Sequence, residues 1–462
     1  MSAHEAHIPS REEVIAIITR PIPKRLGTLS LVLAVIGFAV FLFGAFTGNP
    51  RAWHAFHVNW LFVTTFSSAA IAIVVAQRIT TARWSRPTIR ILEGFVAWLP
   101  IAFVLLLLTL FFGKQHIFHW VTVPPTIHEK ALWLDPTFYT IRVLAVYALI
   151  TVLSIWFVYR SVRLDVGVMP EWGSSWAKGI RAGMRHGFGD ERRELHSTHS
   201  MLGKLGVVFA LVFGFGWTML AWDLSMSVDY HFQSTMYGWQ VFMGGWVVAL
   251  MIQSILVRLW RNALGAEEII LEKHFHDIGK LCFAFTAFWG YLTFSQYLVI
   301  WYGNMPEESH FFFLRMSEPW VDITVSVGML MFVVPFFGLL SKSAKTYTPT
   351  MTLFALCSIV GLWLQRYVEI YPSVFAEGLG GDGGAAHAAA GAEAATAAVA
   401  HLPFGLYEIA VTLGFIGLWG VCYLAFMNAF PRMRVFMLTS PYRDEVQVPV
   451  NPDTMEPLPA HE

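Results

Sequence analysis

Ten separate stretches of mostly apolar residues recur along this chain, and their length restricts the fold more than any other feature. A bilayer core about 30 Å thick is crossed by roughly 20 apolar helical residues, because a helix satisfies every backbone polar group internally. The stretches are 26–47, 57–77, 92–112, 137–159, 202–222, 236–257, 278–300, 319–340, 349–367 and 404–427. They predict an all-α polytopic membrane protein of about ten transmembrane helices. A segment 1–25 precedes the membrane domain 26–427, and a tail 428–462 follows it. The first stretch is too long for the apolar core of a cleaved signal peptide and reads as a retained helix. An even number of crossings puts both termini on one side. The loops on that side hold several times as many lysines and arginines as those opposite, which places both termini in the cytoplasm.

Composition agrees with a membrane solvent: 56% of residues are hydrophobic and 13% charged, about half the usual charged fraction of about 25%. Lysine plus arginine and aspartate plus glutamate both number 31, so no net basic surface exists to attract nucleic acid. The cysteines are Cys282, Cys357 and Cys422, with no paired spacing that could ligate an iron-sulfur cluster or attach a c-type haem. The 17 histidines fall in loops or at the ends of the apolar stretches. Facing pairs for a b-type haem or a haem-copper centre are therefore not expected, nor is a metal site. A redox metal serving this chain belongs to another subunit.

Two connections are long. Segment 160–201 carries seven lysines and arginines with several glycines; it suits either a cap at headgroup level or a solvated loop. Segment 376–401 is almost all alanine and glycine and lacks the apolar mass to pack, so it reads as a flexible insert.

Ionisable residues in a bilayer are costly and mark function or structural pairing. Asp223, Arg142, Asp322, Arg366, Glu369 and Glu408 fall near the expected extracytoplasmic face, and Glu93, Lys204 and Lys280 near the cytoplasmic one. Neutral groups such as Thr65, Ser68, Gln253 and Thr286 occupy mid-depth. Residues 222–239, WDLSMSVDYHFQSTMYGW, bring two carboxylates, a histidine, hydroxyls and aromatic rings to that face. Asp223, Asp229 and His231 are the candidate proton-handling groups. If the loop is extended, Asp229 and His231 point the same way. The flanking Trp222 and Tyr237 offer flat apolar walls for a quinone ring. A second motif, residues 294–308, FSQYLVIWYGNMPEE, puts Tyr297 and Trp301 on one helical face with Asn304 following. Glycine and proline end that helix and leave Glu307 and Glu308 in a loop. Tyr297, Trp301 and Asn304 join Trp222 and Tyr237 in the candidate quinone pocket or docking face. An interfacial aromatic belt with polar loop residues accounts for the same composition.

The stretches SVDYHFQSTMYG (227–238), FSQY (294–297) and WYGNMPEE (301–308), with the ten-helix pattern, resemble the NrfD-like (polysulfide reductase membrane subunit) family. Within it they are most similar to the ActF-type subunit of bacterial alternative complex III. The resemblance implies two four-helix bundles, helices two to five and six to nine, flanked by helices one and ten. It implies a haem-free subunit of a quinol:electron acceptor oxidoreductase in the bacterial inner membrane. Its expected partners are a homologous NrfD-like subunit, a periplasmic iron-sulfur protein, c-type cytochrome subunits, lipids and quinol, with a quinone such as menaquinone as the cofactor. Quinol oxidation would be supported on the periplasmic side, with proton transfer alongside.

Two alternatives remain. The chain could be a purely structural anchor for extrinsic iron-sulfur and haem subunits. It could also be a transporter, for which Pro100, Pro335 and Gly214 to Gly216 supply helix breaks, although central charges are missing.

Overall fold

The computed structural model describes residues 10–377 and 402–446. Ten long helices run through it, numbered here in chain order: α1 (Lys24–Phe46), α2 (Pro50–Ile79), α3 (Ile89–Ile117), α4 (Pro136–Val168) and α5 (Glu191–Leu224). The second five are α6 (Thr235–Leu264), α7 (Glu272–Gly303), α8 (Val321–Gly338), α9 (Thr348–Glu377) and α10 (Leu406–Ala429). No strand occurs among the described residues. Nine of these helices are long and apolar enough to cross a membrane. The other, α7, has 32 residues, and Trp289, Tyr291, Gln296 and Tyr297 lower its mean hydropathy. The alanine- and glycine-rich insert lies outside the described residues from 378 onward.

Helix ends are set by local chemistry. Asn49 accepts a hydrogen bond from the Arg51 N–H at 3.0 Å, and Pro50 occupies the first turn. These two residues start α2 seven positions before the apolar stretch begins. Helix α3 contains a 3₁₀ turn at Gly94–Ala97 and a π turn at Thr109–Gly113. Helix α8 has a π turn at Met329–Val333, just before Pro335, where the proline cannot donate to the helical ladder.

Packing makes two closed rings. Helices α2, α3, α4 and α5 each touch the next, with α5 returning to α2; α6, α7, α8 and α9 do the same. The rings meet where α2 and α5 lie on α6 and where α2 lies on α9. Helix α2 is consequently buried along nearly its whole length. Helices α1 and α10 form a pair laid against α2.

That pair depends on small residues. A Cβ placed on Gly37 would lie 2.3 Å from the Gly414 Cα, and one on Gly417 would lie 2.5 Å from the Ala34 backbone nitrogen. Close backbone approach is a main source of helix association in lipid, where hydrophobic burial gives little net gain. Gly414→Leu is expected to cost about 1–3 kcal/mol by overpacking and to lower the thermal unfolding midpoint of the purified protein. An unchanged midpoint would contradict this helix crossing.

The ends of the rings differ, and we refer to them as the Asp223 end and the Arg90 end. At the Arg90 end, buried Arg90 pairs with Glu93 and Asp165, and the Asp165 carboxylate also accepts the Phe436 N–H at 2.8 Å. The short helix Arg11–Ile18 packs there against the short helix Val435–Thr439, with Val14 and Ile18 fully buried. Segment 160–201 forms a docked cap. Helix α4 continues to Val168, and Arg181 donates to the Ala429 carbonyl at 2.9 Å and to Glu171 at 2.8 Å. Hydrogen bonds from Arg181 and Arg185 hold the Glu171 carboxyl below its ordinary value.

Candidate functional site

The Asp223 end gathers polar groups from both rings. The early start of α2 carries His54 and His57 into the buried region, whereas the sequence places the histidines in loops or at the ends of apolar stretches. The His57 Nε2–H donates to the Leu224 carbonyl at 2.6 Å, and the His54 Nε2–H to the His116 carbonyl at 2.8 Å. Each Nδ1 is buried without a hydrogen-bond partner. The Asn49–Pro50 pair is the sequence signal that would have located them.

Asp223, at the end of α5, is 1% exposed. Arg142 of α4 holds it with two parallel bonds, Nε to Oδ2 and Nη2 to Oδ1, both 2.8 Å. The same guanidinium donates to the Trp133 carbonyl at 3.0 Å and sits 3.9 Å from the Trp133 ring centroid. The Tyr139 hydroxyl donates to the Asp223 carbonyl at 2.8 Å. A bidentate guanidinium occupies both carboxylate oxygens, so the geometry makes Asp223 a fixed counter-ion. Glu408 is held similarly, by Arg51 at 2.9 Å and by the Tyr371 hydroxyl at 2.8 Å.

A second cluster lies in the ring of α6 to α9. The Tyr237 hydroxyl and Ser225 Oγ are 2.7 Å apart, and Ser225 Oγ is 3.4 Å from Glu369 Oε2. Gln365 donates to Glu369 Oε1 at 2.9 Å, and Arg366 pairs with Oε2. Arg315 ends the short helix Pro306–Arg315; it donates to the Glu369 carbonyl and to Ser373 Oγ, both at 2.8 Å, and lies 3.3 Å from the Phe311 ring centroid. Burial pushes the Arg315 guanidinium down to about 10, while Asp229, Tyr237 and Glu369 favour its charge. All these polar side chains are buried. Two hydroxyls leading to one carboxylate can pass a proton stepwise by rotating their O–H bonds.

Asp229 and His231 do not share a direction. A turn brings the Phe232 N–H to the Asp229 carbonyl at 3.1 Å. Asp229 is buried and close enough to Arg315 to favour its charge, whereas His231 is exposed, with its ring centroid 4.1 Å from that of Tyr230. The extended geometry that would have aligned them is absent because the chain must reverse between α5 and α6. Trp222 is half-buried, and its indole N–H has no partner.

Of the aromatic candidates, Tyr237 joins the Glu369 cluster. Trp301 is 63% exposed, and Tyr297 is exposed and lies edge-on to Phe312 at 5.7 Å. Asn304 takes a left-handed conformation with φ 47° and ends α7, so it does not continue their face. Glu307 and Glu308 occupy the first turn of the helix Pro306–Arg315 instead of a loop. That helix places Arg315, which sequence reasoning missed; Pro306 was its signal.

Among the described residues no three histidine, cysteine or carboxylate side chains group as metal ligands. No protein-family model matches this chain, and no curated protein resembles it at a significant level.

Proposed function

We propose that this chain is an integral membrane subunit of a quinol:electron acceptor oxidoreductase of the alternative complex III type. The Asp223 end faces the extracytoplasmic water and supports quinol oxidation by iron-sulfur and c-type haem partners. Oxidation of a quinol releases two protons along with two electrons, and a site beside the electron acceptors needs groups that take those protons away. The observation supporting this reading is the buried line from Tyr237 through Ser225 to Glu369. Removal of a proton by a positioned acceptor accelerates such reactions by about 10²–10⁴-fold. Asp229 and Arg315 set the charge beside that line, and exposed Tyr297, Trp301 and Tyr302 offer a docking surface for a partner.

Purification of the intact assembly in mild detergent tests the class: iron-sulfur and multihaem polypeptides should accompany the chain, together with a homologous membrane subunit. Their absence overturns the reading. In the same assembly, Asp229→Asn combined with His231→Ala should lower quinol:cytochrome c turnover while leaving the subunits associated. The anchor reading draws on the Arg142–Asp223 and Arg51–Glu408 pairs, which leave little free chemistry at two of the carboxylates. An anchor would lose its partners before losing rate.

A further inference from the structure

The Arg90 end holds a second cluster, remote from the residues above and independent of the redox reading. A small recess, partly open to solvent, is lined by Gln77 and Arg78 in the last turn of α2, Arg86, His199 of α5, and Arg434. Its charge is one-sided. Arg90 is committed to Glu93 and Asp165, and Arg86 to Asp444 at 2.6 Å. Arg78 and Arg434 repel each other and both feel Arg86. Glu93 attracts both and Asp165 attracts Arg434, yet both carboxylates are already bound to Arg90.

The cost of this arrangement shows in unused donors. Arg434 is 5% exposed, and its Nε and Nη2 are buried with no hydrogen-bond partner; the same two atoms of Arg78 are equally unpartnered. Gln77 is 7% exposed, with neither amide atom bonded, and the His199 Nδ1 is also buried without a partner. An arginine reaching up to the surface would expose its nitrogens to water; these do not. Burying guanidinium donors without partners is costly, because each loses its bonds to water and gains none in return. The group that would satisfy them has no donor of its own, accepts in several directions and carries negative charge.

We propose that this recess binds a phosphate group, with Arg78 and Arg434 converging on its oxygens from two different elements and Gln77 completing the contacts. Guanidinium forks match phosphate oxygens bidentately. The recess lies where α2 ends and α3 begins, the level at which a helix leaves the apolar layer for the headgroups. A phosphodiester headgroup of an anionic lipid and a soluble phosphate share this chemistry, and the two are separable by experiment.

The full chain in its purified assembly is exchanged into detergent micelles carrying either phosphatidylglycerol or phosphatidylcholine, and separately into buffers of phosphate or chloride at equal ionic strength. Bound lipid is read by native mass spectrometry and the unfolding midpoint by tryptophan fluorescence. Retention of phosphatidylglycerol over phosphatidylcholine, weakened about tenfold by Arg78→Gln through loss of one charge-assisted pair, supports a lipid headgroup. A midpoint raised by phosphate and not chloride, again lost in Arg78→Gln, supports soluble phosphate. Equal retention of the two lipids with no distinction between phosphate and chloride overturns the proposal. So does discrimination that survives Arg78→Gln. Because Arg78 is only half-buried, that variant carries the test even where Arg434→Gln fails to fold.

Discussion

Replacing Arg142 with alanine is expected to destabilise the protein by about 3–5 kcal/mol, the usual cost of stranding one partner of a buried ion pair. Asp223 would keep its buried position but lose both hydrogen bonds to its carboxylate oxygens. The guanidinium contact over the Trp133 ring and the bond to the Trp133 carbonyl would go as well, loosening the connection between α3 and α4. Asp223→Asn should be milder, because the amide still accepts one bond and only the charge balance is lost. The informative comparison is Arg142→Met with Asp223→Leu. Removing both charges together and filling their volume with apolar atoms should recover most of the loss, since neither ion then pays desolvation. Unfolding of the detergent-solubilised protein, followed by tryptophan fluorescence, measures all three. A loss below about 1 kcal/mol for Arg142→Ala would mean that water reaches the carboxylate and the pair acts like a surface salt bridge.

Tyr237→Phe is expected to reduce quinol-dependent turnover of the assembled complex by about 100-fold if proton removal runs through Tyr237, Ser225 and Glu369. The substitution is chosen because it spares the charges. Arg366 keeps its carboxylate, the ring keeps its edge-on contact with Phe311 at 6.1 Å, and only the hydroxyl paired with Ser225 is lost. The accompanying stability change should be about 1 kcal/mol, the net worth of one hydrogen bond. Glu369→Gln is a poorer probe, since it leaves buried Arg366 without its counter-ion and mixes folding with function. Turnover at the wild-type rate in Tyr237→Phe, with the redox subunits present, removes the hydroxyl line from the mechanism without touching the assignment of the complex. Loss of the redox subunits in that variant would instead point to an anchoring role.

The two clusters at the Asp223 end differ in how readable they were. Arg142, Asp223, Arg366, Glu369 and Glu408 are conspicuous because a charge beside an apolar stretch stands out in one dimension. Their pairing is not visible there: Arg142 and Asp223 belong to different helices, whereas Arg366 and Glu369 are one turn apart on α9. His54, His57 and Arg315 escaped because hydropathy marks where a helix is apolar and not where its hydrogen bonding begins. Asn49 with Pro50, and Pro306, extend helical structure into segments that composition alone assigns to loops. Asp229 and His231 were themselves legible as titratable groups in a loop, but their relative direction was not, since it depends on a turn between α5 and α6.

Apolar length and spacing by themselves determined that this chain is a bundle of about ten membrane-crossing helices, because the cost of an unsatisfied backbone in lipid leaves a polytopic chain no other local structure. Only the tertiary structure decided which helices close into rings, which carboxylates are neutralised by arginine, and which guanidinium groups line a common recess. Those outcomes depend on helix rotation and on where each helix starts and stops. A shift of one residue turns a side chain by about 100° around the helix axis, which the average hydropathy of a stretch does not register.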